Sequence, residues 1–83
     1  MIDKGIVIRV FNENKRLSFR KRVVLIKLSE HDLAGVEFHH ERCSQLDEIQ
    51  INDFVEVNFN IKGKVGEQDR LYNNLVGISI KKI

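Results

Sequence analysis

Residues 54–62 alternate without a break, with Val55, Val57, Phe59 and Ile61 on one side of an extended chain and Glu56, Asn58, Asn60 and Lys62 on the other. A period of two is the mark of a strand with one face in a core. The chain contains no proline and is rich in Val and Ile, so its covalent structure nowhere interrupts a ladder of backbone hydrogen bonds. Four other segments carry the same signal more weakly. Residues 5–11 are a β-branched run, Gly-Ile-Val-Ile-Arg-Val-Phe. Residues 20–29 set Val24, Ile26 and Leu28 on one face and Lys21, Val23, Leu25 and Lys27 on the other. In residues 35–42, Val36, Phe38 and His40 share a face opposite Glu37, His39 and Glu41. Residues 71–83 put Ile78 and Ile80 on one face and end at Lys81-Lys82.

Between these segments lie breaks with turn chemistry. Residues 12–15 are polar, residues 30–34 form a turn, Asn52-Asp53 marks a tight turn, and residues 63–70 form a glycine-bearing hairpin loop. Residues 43–49 lose the alternation. Leu46 and Ile49 stand three apart there, which predicts a short helical turn with Ser44 as its N-cap and Asp47 in a box-like position. The order is therefore three strands, a short helix and two strands. An antiparallel sheet has to hide its edges, and closure into a barrel does so. The expected fold is all-β, a five-stranded OB barrel with a short helix between strands 3 and 4. Its 83 residues make a single domain, 1–83, of a size that buries roughly 60% of its unfolded surface.

The charge distribution points to a partner. Residues 29–56 hold eight acids against the single cation Arg42, a balance of −7, while the remaining residues hold thirteen cations against four acids, a balance of +9; together they make the net +2. The densest basic stretch, Lys15-Arg16-Leu17-Ser18-Phe19-Arg20-Lys21-Arg22, sets five cations around one aromatic. An OB barrel binds along one face flanked by the loop joining strands 1 and 2 and the loop joining strands 4 and 5. Those loops are residues 12–19 and 63–70. Lys15, Arg16, Arg20, Lys21 and Arg22 lie in or just after the first, and Lys62, Lys64 and Arg70 bracket the second. A positive groove with aromatic platforms is what binds an unpaired strand, so these eight cations are the expected phosphate contacts. Phe19 is the first candidate for base stacking and Tyr72 the second; the alternatives are a barrel plug for Phe19 and a half-buried rim residue for Tyr72.

Phe19-Arg20-Lys21-Arg22, then residues 41–47 (Glu-Arg-Cys-Ser-Gln-Leu-Asp), residues 55–63 (Val-Glu-Val-Asn-Phe-Asn-Ile-Lys-Gly) and Tyr72-Asn73-Asn74-Leu75 resemble a family of small bacterial proteins of undefined function, related to single-stranded DNA-binding proteins and the primosomal OB proteins. The resemblance runs over residues 16–83 and rests on the order and spacing of these segments. It implies an OB fold, a dimer, a role in DNA replication and single-stranded nucleic acid as the ligand. The family's tryptophans are absent, with Glu41, Leu71 and Ile78 in their places, and Asn52 stands where a glycine precedes Asp53.

Other chemistries find little footing. Cys43 is the only cysteine, so no internal disulfide can form and a reducing cytoplasm is the expected compartment. It lies in the acidic half, where a thiolate is not favoured, and reads as a small buried filler. His31, His39, His40 and Cys43 do not make a zinc set, because adjacent histidines on a strand point to opposite faces. His40 reads as a core-facing or edge residue. No glycine spacing matches a phosphate loop. No enzyme, metal, cofactor or small-molecule substrate is expected. No apolar run approaches the ~20 residues of a membrane span, and the polar start Met1-Ile2-Asp3-Lys4 is not a signal peptide.

Glu37 and Glu41 oppose the nucleic-acid reading, because on strand 3 they would face the ligand and repel phosphate. Either the strand tracks over strand 2 and the basic loops only, or the acidic face docks a basic partner, including the basic loop of a second copy. The second option, with the missing tryptophans, defines the alternative: a protein-interaction or oligomerisation module on an OB scaffold that recruits a replication or recombination partner and has no nucleic-acid affinity.

Overall fold

The computed structural model describes every residue except Leu17, Ser29, Glu30 and His31, and the backbone but not the side chains of Lys15 and Lys64. Among the described residues there are six strands and two 3-10 segments: β1 (Ile2–Val10), β2 (Asn14–Arg16), β3 (Phe19–Lys27), β4 (Leu33–His39), a 3-10 segment (His40–Leu46), β5 (Phe54–Val65), a 3-10 turn (Glu67–Asp69) and β6 (Leu71–Lys82).

The five long strands close into a ring. β1 pairs antiparallel with β3 and β5, β3 antiparallel with β4, β4 parallel with β6, and β6 antiparallel with β5. The all-β expectation is met, and closure leaves none of these five strands as a free edge. β1 passes from one neighbour to the other near Gly5 and Ile6, since Gly5 pairs with Val55 while Ile6 pairs with both Phe54 and Lys27. A Cβ at Gly5 would collide with the Lys27 carbonyl and the Ile26 side chain, so the crossing needs a residue without one. A register shift between Val7 and Arg9 adds the bend that closure requires.

The core is made by the alternation. Val7, Val24, Ile26, Val36, Phe38, Val55, Val57, Phe59 and Ile80 point inward from the strands, and Leu46 and Ile49 cap them. Val10, Leu28 and Leu75 pack against this cluster from its margin. Gly77 lies against Phe38, and a Cβ there would enter the phenyl ring.

Several local expectations are corrected. The loop expected at residues 12–19 contains β2, whose Asn14, Lys15 and Arg16 pair with Lys21, Arg20 and Phe19. β2 extends the edge of β3 that β1 occupies from Val24 onward, and the Phe11 N–H bonds the Val23 carbonyl at 3.0 Å in between. A strand of three polar residues has no apolar period to announce it. The loop expected at residues 63–70 is shorter than read, since Gly63, Lys64 and Val65 pair with Asn73, Tyr72 and Leu71 and residues 66–70 form the tip. Here β5 and β6 project as a two-stranded ribbon beyond Leu75, the outermost β6 residue paired with β4 and the partner of Ile61. Ile61 therefore continues the inward side of β5 but is exposed, because the core ends before the strand does.

Ile78 and Ile80 do not share a face as expected. A register shift, with Phe59 opposite Gly77 and Asn58 opposite Ser79, sets Ile78 apart. The side chain of Gln45 serves the backbone there, donating to the Ile78 carbonyl at 3.0 Å and accepting from the Ile80 N–H at 3.2 Å. The helical turn begins at His40, not at residue 43, with His39 as N-cap and no side-chain cap bond. Ser44 Oγ instead donates to the Glu41 carbonyl at 2.8 Å. β4 ends at His39, so His40 leaves the strand and is exposed. The tight turn at Asn52-Asp53 is present, with Asn52 at φ 75°; its N–H bonds the Val7 carbonyl at 2.8 Å. No helix among the described residues is long and apolar enough to cross a membrane.

Candidate nucleic-acid interface

The outward residues of β3 and β4 form the face that the two hairpins flank. Lys21 pairs with His39, Val23 with Glu37 and Leu25 with Gly35, and residues paired across a sheet share a side. Lys21 Nζ meets Glu37 Oε1 at 3.1 Å, and His39 Nε2 stands 3.5 Å from Glu37 Oε2. At the end of this face the Phe19 ring lies against two imidazoles. It is 5.0 Å from His39 at 59° and 5.1 Å from His40 at 83°. Phe19 is 44% exposed. It is a surface aromatic, and the barrel-plug alternative falls.

The four described cations of residues 15–22, Arg16, Arg20, Lys21 and Arg22, do not gather into one patch. Alternation sends Lys21 to the outer face and Arg20 and Arg22 to the side shared with Val24 and Ile26, beyond the end of the core. There Arg20 bonds Glu13 at 2.8 Å, and Arg22 bonds Asp47 at 2.9 Å while its Nε–H donates to the Phe11 carbonyl at 3.0 Å. The hydrogen bond and charge of Glu13 hold the Arg20 guanidinium above its ordinary value, with smaller support from the Glu41 carboxylate. Three of the four are thus engaged by carboxylates of the chain itself. Arg16 has no ion pair among the described residues, and the side chain of Lys15 lies outside the description, as does that of Lys64.

Lys62 stands on the ribbon and lines a cleft of 250 Å³ with His39, His40, Glu41, Arg42, Val76 and Gly77. Neither Lys62 nor Arg42 has an ion pair among the described residues. A connected path results: Arg16 pairs with Phe19, Phe19 touches His39 and His40, and these share a cleft with Arg42 and Lys62. Arg70 and Tyr72 sit farther along the ribbon. The Arg70 backbone closes the tip, its carbonyl accepting from the Gly66 N–H at 2.7 Å. Tyr72 is 48% exposed, opposite Lys64, and its ring lies over Gly66. A second cleft, of 340 Å³, runs between the outer face and the ribbon, with Val23, Gly35, Glu37, Asn73 and Asn74 in its lining.

Sequence reasoning placed Glu37 and Glu41 on one strand face. Glu41 lies instead in the 3-10 segment, and Glu37 is held by Lys21, so the acidic stripe does not form. Arg42 and His40 went unnoticed as site residues. The signal for Arg42 was available, since it is the one cation among residues 29–56. Arg9, stacked 4.5 Å over the Phe11 ring, sits in an apolar run that carries no basic motif.

Cys43 is buried and donates its S–H to the Phe38 carbonyl at 3.1 Å. Burial pushes the thiol up from its ordinary value, which disfavours a thiolate nucleophile. Among the described residues no group of three or more His, Cys, Asp and Glu side chains gathers as a metal site; His31 lies outside them. No protein-family model matches the chain, and comparison with curated proteins finds no match.

Proposed function

We propose that this chain is a non-enzymatic OB-fold module that binds single-stranded nucleic acid, ssDNA first of all, with low sequence specificity. The OB reading is supported by the cyclic order β1–β3–β4–β6–β5, with its one parallel pair β4/β6 and a helical segment between the third and fourth ring strands. It agrees with the resemblance to the small bacterial family related to single-stranded DNA-binding and primosomal proteins. With that resemblance come service to unpaired DNA in replication and a dimeric state, and the lone Cys43 adds a reducing cytoplasm.

The observation that carries the reading is Phe19, an exposed ring held in place by two imidazoles beside cations that have no ion pair among the described residues. A base stacked on such a platform is worth roughly 1–3 kcal/mol whatever its identity, which gives binding without sequence readout. Arg16, Lys62 and Arg70 are the first phosphate contacts, with Lys15 and Lys64 beside them, and Tyr72 is a second platform. Arg20, Lys21 and Arg22 contribute by exchange. An exposed ion pair is worth about 0–1 kcal/mol, so a phosphate can displace the carboxylate of Glu13 or Glu37.

Fluorescence anisotropy with a labelled dT oligonucleotide tests this. Binding is expected at micromolar concentrations or below in low salt, with log K falling by about 0.7 per decade of salt for each phosphate neutralised. Absence of binding at low salt refutes the reading. A second reading, a protein-interaction or oligomerisation module, is favoured by the apolar side of the ribbon, where Ile61, Val65 and Leu71 are all exposed. Sedimentation showing a dimer that Leu71→Asp dissociates, together with no oligonucleotide affinity, would select it.

A further inference from the structure

We infer that the cleft of His40, Arg42 and Lys62 is a phosphate subsite, seating the backbone phosphate of the nucleotide whose base lies on Phe19. The inference rests on the nucleic-acid reading above and fixes where the strand leaves the basic hairpin: across the end of β4 and onto the ribbon.

Four observations carry it. First, the cleft brings a guanidinium and an imidazole from the 3-10 segment (Arg42, His40) and an ammonium from β5 (Lys62) into one lining. Arg42 supplies a planar donor fork suited to phosphate, and Lys62 a point charge. Second, the competing carboxylates are few. Glu37 is occupied by Lys21, and Glu41 is the one acid in the lining, against the two cations Arg42 and Lys62. Third, His40 holds φ at 51°, a left-handed conformation that costs a non-glycine residue energy and gathers at functional sites. That conformation ends β4 and turns the exposed imidazole to meet the edge of Phe19, so base platform and phosphate cleft share one residue. Fourth, His39 also lines the cleft, a second imidazole there whose Nε2 makes no hydrogen bond among the described residues and stands 3.5 Å from Glu37 Oε2. The floor, Val76 and Gly77, offers no competing polar side chain. The volume, 250 Å³, falls below the ~300–1,000 Å³ of pockets that swallow whole small molecules; it suits a phosphate and part of a sugar on a chain that continues at both ends.

The test uses the full chain and a labelled dT oligonucleotide, with anisotropy at several salt concentrations. The variants are Arg42→Ala, Lys62→Ala and, as a control for lost charge alone, Lys4→Ala on β1. Arg42→Ala and Lys62→Ala are each expected to weaken binding about tenfold and to lower the salt slope by about 0.7, while Lys4→Ala stays within about twofold of the parent protein. Arg42→Lys is expected to retain the slope and lose part of the affinity. Melting temperatures separate folding from binding, since both side chains lie on the surface. If the parent protein binds but Arg42→Ala and Lys62→Ala match Lys4→Ala in affinity and slope, the subsite is overturned and the broader reading stands. If the parent protein does not bind at low salt, both fail.

Discussion

Arg22 and Asp47, twenty-five residues apart, meet at 2.9 Å, and the same guanidinium donates to the Phe11 carbonyl at 3.0 Å. One side chain from the basic segment thereby ties β3 to the acidic 3-10 segment and to the end of β1. The consequence is mechanical: this cation serves the fold before any ligand. Arg22→Ala is expected to lower stability by about 1–2 kcal/mol, because it removes a backbone bond and an ion pair together. Urea unfolding measures this. Asp47→Ala should lose less, since the bond to Phe11 remains. Oligonucleotide affinity of Arg22→Ala should fall no more than a few-fold.

Phe19 gives the opposite pattern. Its ring is exposed, so Phe19→Ala should change stability by less than about 1 kcal/mol. Its oligonucleotide affinity should drop by about 1–3 kcal/mol per stacked base, and Phe19→Trp should restore it. Equal affinity of Phe19→Ala and the parent protein would remove the platform from the account.

Glu37 holds Lys21 at 3.1 Å on the outer face. Glu37→Gln frees the ammonium and removes a negative charge beside the strand's path. Affinity for labelled dT should rise by about two- to fivefold in low salt, the scale of one exposed ion pair, and the gain should vanish at high salt. Anisotropy at two ionic strengths decides it; a fall in affinity would place the strand elsewhere.

Gly77→Ala drives a methyl group into the Phe38 ring. Overpacking of this kind costs about 1–3 kcal/mol. Phe38→Leu alone leaves a void, but combined with Gly77→Ala it should recover part of the loss. Chemical denaturation of the two single variants and the pair forms a double-mutant cycle in which the pair should be less destabilised than the sum of the two singles.

The buried Cys43 thiol is pushed above its unfolded value of 9.0. Below that pH both states keep the proton, and the thiol adds no pH dependence. As pH rises through 9, the unfolded chain releases its proton while the folded chain cannot, so stability falls until the folded thiol also ionises. The stability advantage of the parent protein over Cys43→Ala should shrink between pH 8 and pH 10 by up to about 1.4 kcal/mol per pH unit. Urea unfolding across that range reads the difference, and a thiol reagent should react only once urea is present.

The inward residues of β5, Val55, Val57 and Phe59, were legible because alternation is local: each side chain's face follows from its neighbour's. The same holds for Val24 with Ile26 and for Val36 with Phe38. Even the turn at Asn52 follows from the residue type, which tolerates a left-handed backbone. The extent of each ladder was not legible. Ile61 keeps the rhythm of β5 yet stands in solvent, because where a core ends depends on the partner strands. β2 was silent because polar residues carry no apolar period. The fate of the cations was the least readable. Residues 15–22 look like one positive run, but a strand deals successive side chains to opposite sides, and the β3/β4 pairing and the 3-10 segment bring Glu37 and Asp47 alongside two of them. Sequence alone set the five long strands and most of their inner faces, since these depend on adjacent residues. Tertiary structure decided which charges remain open to a ligand, since ion pairing depends on what a closed sheet sets side by side.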